Sequence, residues 1–283
     1  MENYDFVIIG GGPAGIGFLL QISKDFKKVL LFEEKRIGGD IFYAHKITNF
    51  PGFYEIDGKT ICFRFENQVK KFKRNIKFEK VLKLKCFKNY VLVKTEKDIY
   101  KTRYCIIATG RKEKILKKYS KLKLKNRYES IKGKNICIIG GGEVALDQSL
   151  TLFKKGKNVT IISNGNFDKV NKELLKSVKK ITKRIYQFSK ILDLKKVDKK
   201  GYKILFQSRS KNYKKFFDDI ILSIGSSKNL PPINNRNERI ILCGSVKSKK
   251  MKQGSISFAD GVKLAMELSI KLKRGRNENS IKK

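Results

Sequence analysis

The chain opens on an apolar run, Phe6 to Ile9, that ends in three glycines and passes into a stretch with apolar positions at helical spacing, "PAGIGFLLQIS". A second apolar run, "KKVLLFEE", follows. Strand, glycine turn, helix and strand in that order predict a βαβ unit with parallel strands. The same order returns in "KNICIIGGGEVALDQSLTLFKKGKNVTIIS", from Lys134 to Ser163. Between the two copies, "DGKTICFRFENQVKKF" has the spacing of a helix with a lysine-rich outer face, and "FEKVLKLKCFKNYVLVKTEKDIYKTRYCIIATG" alternates over short stretches. The latter predicts consecutive strands in an accessory antiparallel sheet. "YKILFQSRSKNYKKFFDDIILSIG" repeats that pattern after the second copy, with its aromatic residues predicted as core. The closing "KRGRNENSIKK" predicts a frayed tail.

The glycines give the repeated unit its chemistry. Gly10, Gly12 and Gly15 fit G-x-G-x-x-G, with Pro13 and Ala14 between them. The first glycine permits the tight turn, the second lets backbone approach a pyrophosphate, and the third allows close packing of helix on strand. The helix N-terminus then presents free N–H groups to the phosphates. Glu33 ends the second strand about 20 residues on, where a carboxylate can accept ribose hydroxyls. In the second copy Gly140, Gly142 and Ala145 take the three positions, Glu143 opens the helix, and the strand ends in Ser163-Asn164-Gly165 with no acid. Asn164 is the candidate for a ribose hydrogen bond there. Without an acid or an arginine cluster, this loop does not choose between NADH and NADPH. The fold class that follows is α/β, with two Rossmann-like dinucleotide-binding domains.

At 283 residues the chain is long enough for two cores. No run of about 18 apolar residues predicts a membrane span. Glu2 and Asp5 ahead of the first strand are unlike the basic start of a signal peptide. The cysteines at 62, 86, 105, 137 and 243 are odd in number and too far apart for CxxC. They predict buried thiols in a reducing cytoplasm and no metal site. The net charge of +40, from 66 basic and 26 acidic residues, is spread over the chain. It reads either as lysine-rich solvated faces or as attraction for an acidic partner. Nucleic acid lacks the supporting motifs.

Five segments in order resemble the thioredoxin reductase-like flavoproteins, a group of two-dinucleotide-binding-domain oxidoreductases. They are the first glycine loop with Glu33, "IGGDIFYAHKITNFPGF", "CIIATG", "IILSIGSSKNL" and "CGSVKSKKMKQGSISFADG". The resemblance implies FAD in residues 1–110 plus 243–283, and NADH or NADPH in an inserted domain of residues 111–242 that rotates about its paired crossings. It places Gly39, Asp40, His45 and Asn49 along the flavin, with Thr109 and Gly110 ending the first FAD portion. Gly244, Ser245, Lys252 and Gln253 form the closing motif, before a helix near Gly254 whose N-terminus faces the flavin pyrimidine. Ser245 stands where the family has an aspartate. A homodimer is implied as well.

The departures bear on function. Family members that reduce thioredoxin carry a CxxC ahead of the second glycine loop, because a dithiol must exchange with a substrate disulfide. Here that region, "KKYSKLKLKNRYESIKGKN", holds no cysteine. The resemblance therefore implies an FAD-dependent NAD(P)H oxidoreductase that is not a functional thioredoxin reductase. Its partner would be an acidic electron carrier, ferredoxin- or flavodoxin-like, or a quinone or other small molecule. His45, the single histidine, is the candidate proton donor. Two other readings stand beside this one: a non-catalytic flavin- or nucleotide-binding regulatory or assembly subunit, and a flavin-dependent RNA-modifying enzyme.

Overall fold

Side chains alternate across the first strand, β1 (Asn3–Ile9), and both faces are covered. Phe6 and Ile8 enter one apolar cluster; Val7 and Ile9 enter another. A strand buried on both sides reads as an unbroken apolar run, which is why the sequence shows no polar alternation here. The computed structural model describes residues 2–44, 47–182, 184–197, 201–248 and 253–281, with side chains through Arg274.

The first cluster lies beneath three helices, α1 (Pro13–Ile22), α2 (Gly58–Val69) and the long C-terminal helix. Pro13 starts α1, where its missing N–H is no loss. Asp57 caps α2 by accepting from the Lys59 and Thr60 amides at 2.9 and 3.0 Å. The second cluster lies against a hairpin. β1 pairs in parallel with β2 (Val29–Glu33), and β2 with β3 (Ile76–Phe78). On its other side β1 pairs in parallel with β6 (Ile99–Ile107), reached through β4 (Val81–Cys86) and β5 (Val91–Thr95). The predicted antiparallel strands are thus a β4–β5 hairpin joined to the main sheet through the first half of β6.

The chain then passes through β7 (Arg111–Glu113) into a second unit. This unit repeats the architecture with β8 (Asn135–Ile139), α3 (Glu143–Lys154), β9 (Asn158–Ile162), α4 (Lys172–Ile181) and β10 (Ile185–Tyr186). A three-stranded antiparallel sheet follows, made of β11 (Ser189–Val197), β12 (Gly201–Ser208) and β13 (Lys211–Phe217). β14 (Asp219–Leu222) then returns beside β8, giving the parallel order β10-β9-β8-β14. Ile136 and Ile138 pack under α3 and α4; Cys137 and Ile139 pack against the three-stranded sheet. Phe206 and Phe217 are buried in that second cluster, as core, while Phe216 is exposed.

β15 (Ser226–Lys228), paired with β7, leads back. Here the structure departs from the sequence-based boundary. The units are Met1–Arg111 with Lys228–Lys283, and Lys112–Ser227, so residues 228–242 belong to the first unit and not to the inserted one. The reason is strand pairing: β16 (Ile233–Asn234) adds in parallel to β4, and β17 (Ile240–Leu242) to the second half of β6. The last helix, α5 (Gly254–Ile281), crosses α1 closely. A β-carbon on Gly17 would stand 2.5 Å from the Phe258 carbonyl oxygen. The segment predicted as a frayed tail is helical to Ile281.

Candidate functional site

In the first unit the site forms at the carboxyl end of β1. Gly10 bends the chain at φ +104°, a conformation open to glycine, and a β-carbon there would meet the Ala108 carbonyl oxygen at 2.6 Å. Gly12 is the N-cap of α1 and opens onto free space: a β-carbon would meet nothing within 4 Å. A β-carbon on Gly15 would overlap the Gly10 carbonyl oxygen, and Ala14 is buried. Turn, open approach and close packing thus fall on the three glycines as their spacing predicts.

Glu33 is drawn in beside the loop. Its Oε2 accepts from the Gly11 amide at 2.6 Å, and its Oε1 accepts from the Lys35 and Arg36 amides at 2.7 and 3.3 Å. A carboxylate has about four lone-pair directions, so three backbone donors orient the group and leave room for one hydroxyl donor. The next segment folds onto the glycine loop. The Gly38 amide donates to the Gly11 carbonyl at 2.8 Å, and a β-carbon on Gly39 would lie 3.3 Å from Gly12 Cα. The Arg36 guanidinium sits 4.0 Å over the Phe42 ring and steadies this turn. Asp40 and Asn49 are exposed. Asn49 lies on a loop closed at its base by the Ile47–Ile56 backbone pair.

The closing motif meets the same place. Ser245 Oγ lies 3.5 Å from where a β-carbon on Gly110 would stand. Asp260 Oδ2 accepts from the Gly244 amide at 2.7 Å, and Lys247 is 3.4 Å from its other oxygen. Asp260 therefore holds the Gly244–Val246 turn with a carboxylate, a role sequence reasoning missed although "ADG" lay in the matched segment. Asn229 was missed too. Its Nδ2 donates to the Thr109 carbonyl at 3.3 Å, its amide donates to the Gly110 carbonyl at 3.2 Å, and its own carbonyl accepts from Thr109 Oγ1. Gln253 is exposed at the start of α5, where its carbonyl accepts from the Ser257 amide at 3.0 Å. His45 and Lys252 lie outside the described residues.

The second unit carries its own cradle. A β-carbon on Gly140 would lie 2.6 Å from the Ser223 carbonyl carbon, and Gly142, the N-cap of α3, opens onto free space. Glu143 is exposed in the first turn and Ala145 is buried. Ser163, at the position of Glu33, is buried, and its hydroxyl accepts from the Gly165 amide at 3.3 Å. Asn164 is exposed.

The cysteines are all buried. Burial pushes the Cys62 thiol up to about 11. Burial, then Asp260 beside it, pushes Cys243 up to about 12. Cys105 and Cys137, fully enclosed in strands, are raised further by burial.

Two cradles of this form, each a helix N-terminus facing open space after a parallel strand, fit dinucleotides. The profile of the pyridine nucleotide-disulphide oxidoreductases matches residues 4–181. The chain belongs to that family. Its members bind FAD and NAD(P)H. The chain is 30% identical to a thioredoxin reductase of Peptoclostridium litorale over 173 residues, 57% of this chain and 55% of the relative. It is 27% identical to a ferredoxin–NADP reductase of Sulfurisphaera tokodaii over 251 residues, 80% of this chain and 74% of that one. The chain spans little more than half the length of several thioredoxin reductases that it matches. In fold it follows the thioredoxin reductase of Lactococcus lactis, with a TM-score of 0.81 at 23% identity, covering 95% of this chain and 98% of that one. Among the described residues no helix is long and apolar enough to cross a membrane.

Proposed function

We propose that the chain carries electrons from NAD(P)H to an external acceptor through FAD, without a dithiol relay. The burial of every thiol carries this reading. A dithiol that exchanges with a substrate needs accessible, low-pKa sulfur; here all five cysteines are enclosed, and the four thiols named above are raised. Gly10, Gly12, Pro13, Ala14, Gly15 and Glu33 would hold the FAD pyrophosphate and ribose. Gly39, Asp40, Asn49, Thr109, Gly110, Gly244, Ser245 and Gln253 would line the remainder. In the second unit Gly140, Gly142, Glu143, Ala145 and Asn164 would hold NAD(P)H. FAD, when bound, supplies the redox chemistry; the protein binds, orients and excludes water.

The acceptor that fits is an acidic electron carrier of ferredoxin or flavodoxin kind. A net charge of +40 favours it, and so does the likeness to a ferredoxin–NADP reductase. The test is a salt series with three acceptors side by side. Reduction of an acidic ferredoxin slows steeply as salt rises through 0.1 M, where the screening length falls to about 10 Å. Reduction of a neutral quinone hardly changes, and thioredoxin is not turned over. Salt-independent rates with the acidic carrier would remove charge from the argument. Efficient thioredoxin reduction would overturn the reading.

A further inference from the structure

The amino end of the first sheet holds a second cleft. It has a volume of about 500 Å³ and lies among the start of β1 (Asn3–Asp5), Lys28 just before β2, Lys101–Arg103 within β6, Asn89 and Tyr90 of the hairpin turn, and Arg239 just before β17. Every one of these residues belongs to the first unit. The glycine loop leaves β1 at the opposite end, roughly 20 Å away at the rise of a seven-residue strand. The cleft is therefore separate from the dinucleotide cradle.

Its wall carries four cations, Lys28, Lys101, Arg103 and Arg239, against one acid, Asp5. Arg239 is held in place, while Arg103 is exposed. Arg239 Nε donates to the Lys88 carbonyl at 2.7 Å and Nη1 to the Arg103 carbonyl at 3.5 Å. Arg239 and Arg103 both lie over the Tyr104 ring, at 5.5 and 5.8 Å from its centre. Lys101 sits 4.4 Å over Tyr90, which stacks on Phe87 at 4.6 Å. The Arg239 guanidinium, fixed in this way, loses little freedom on meeting an anion, and its remaining donors together with the Arg103 fork suit phosphate oxygens. The volume suits a small molecule.

We propose that this cleft is an anion site for a ligand bearing an oligophosphate group. Phosphate suits it better than a lone carboxylate, because four cations spread across one cavity call for several charged oxygens. The assignment stands apart from the redox reading, since it uses no residue of either cradle.

The test is calorimetric titration of the FAD-loaded full chain with inorganic triphosphate and with ATP, in 0.15 M salt. Both are expected to bind at one site per chain, whether or not NADH is present in excess. Tighter ATP binding would identify a nucleotide; equal binding would identify the phosphate chain alone. The double variant Lys101→Ala/Arg103→Ala should weaken binding by about tenfold or more, the scale of losing charge-assisted hydrogen bonds. Lys176→Ala/Lys179→Ala, on α4, removes the same charge elsewhere and should leave affinity within about twofold. Melting temperatures of both variants establish that they fold. The proposal is overturned by equal weakening in the two variants or by no binding at this salt.

Discussion

Gly10 and Gly12 belong to one motif, yet the structure separates their roles, and alanine at each position tests that separation. At Gly10 the backbone holds φ +104°, and an added methyl would stand 2.6 Å from the Ala108 carbonyl oxygen, 2.8 Å from its carbon and 3.0 Å from Thr109 Cα. All three neighbours are backbone just past β6, where the Ala108 amide donates to the Ile9 carbonyl at 2.8 Å, and they cannot turn aside. Backbone strain of about 1–3 kcal/mol adds to overpacking of about 1–3 kcal/mol. For a unit of this size each kcal/mol lowers the melting temperature by about 2–4 °C, so Gly10→Ala should melt roughly 10 °C below the parent. At Gly12 the backbone is extended, with φ −74° and ψ −179°, and a methyl meets nothing within 4 Å. Replacing an N-cap glycine with alanine costs about 1 kcal/mol or less. Gly12→Ala should therefore melt within about 3 °C of the parent. On the proposed FAD site it should nevertheless lose FAD, because the methyl would take the space assigned there to the pyrophosphate; Gly12→Leu should retain none. The assay is melting by circular dichroism on flavin-stripped protein, with flavin absorbance near about 450 nm on the purified form. Stoichiometric FAD in Gly12→Leu would refute the placement of the pyrophosphate. A Gly10→Ala protein as stable as the parent would refute the close approach.

Three further outcomes follow from the contacts described. Ellman's reagent at neutral pH should label none of the cysteines in native protein and all five after denaturation; rapid labelling of even one native thiol would reopen the relay question. Asp260→Asn should keep the fold but lose a charged acceptor for the Gly244 amide, lowering stability by about 1–2 kcal/mol; thermal melting reads this, and no change would mean that the turn holds itself. Asp25, in the turn after α1, is tied to α5, and its carboxyl is held below the usual range by Lys273 first and Ser269 next. The folded form thus binds its proton less readily than the unfolded form, so this contribution is present above the ordinary carboxylate range and is lost as pH falls through the depressed value. Asp25→Asn should show a shallower loss of melting temperature in acid than the parent; an unchanged acid limb would show that the contact contributes nothing.

What the sequence revealed and what it hid divide along range. The βαβ units were legible because β1 and β8 are covered on both faces and so read as unbroken apolar runs ending in glycine. The bend at Gly10, the open face at Gly12 and the close contact at Gly15 fall where the spacing put them. The return crossing did not, because β16 and β17 are two and three residues long and acquire their identity by pairing with β4 and β6. Nothing local marks "IIL" as a first-unit strand. Asn229 and Asp260 were hidden for the same reason: each acts on backbone distant in sequence, Thr109 in one case and Gly244 in the other. Glu33 was read as a ribose acceptor, but its anchoring by three amides depends on the loop closing around it. The cleft at the amino end of the sheet joins five separate stretches of chain and leaves no signature in any one of them.

The insertion of one unit within the other also sets a timetable. The second unit is continuous, from Lys112 to Ser227, and holds every strand of its own sheets. The first must wait for β17 to complete its sheet and for α5 to cover α1, so its residues before Lys112 stand incomplete while the rest is made. At about 5–20 residues per second, a ribosome passing from Arg111 to Leu272 takes roughly 10–30 s. Through that interval the α1 surface that α5 will cover, with Gly17 and Ala14 at its centre, lies open to solvent and to neighbouring chains. The half of the molecule that begins synthesis first is the half that finishes last, and it is the one that a growing cell must shield.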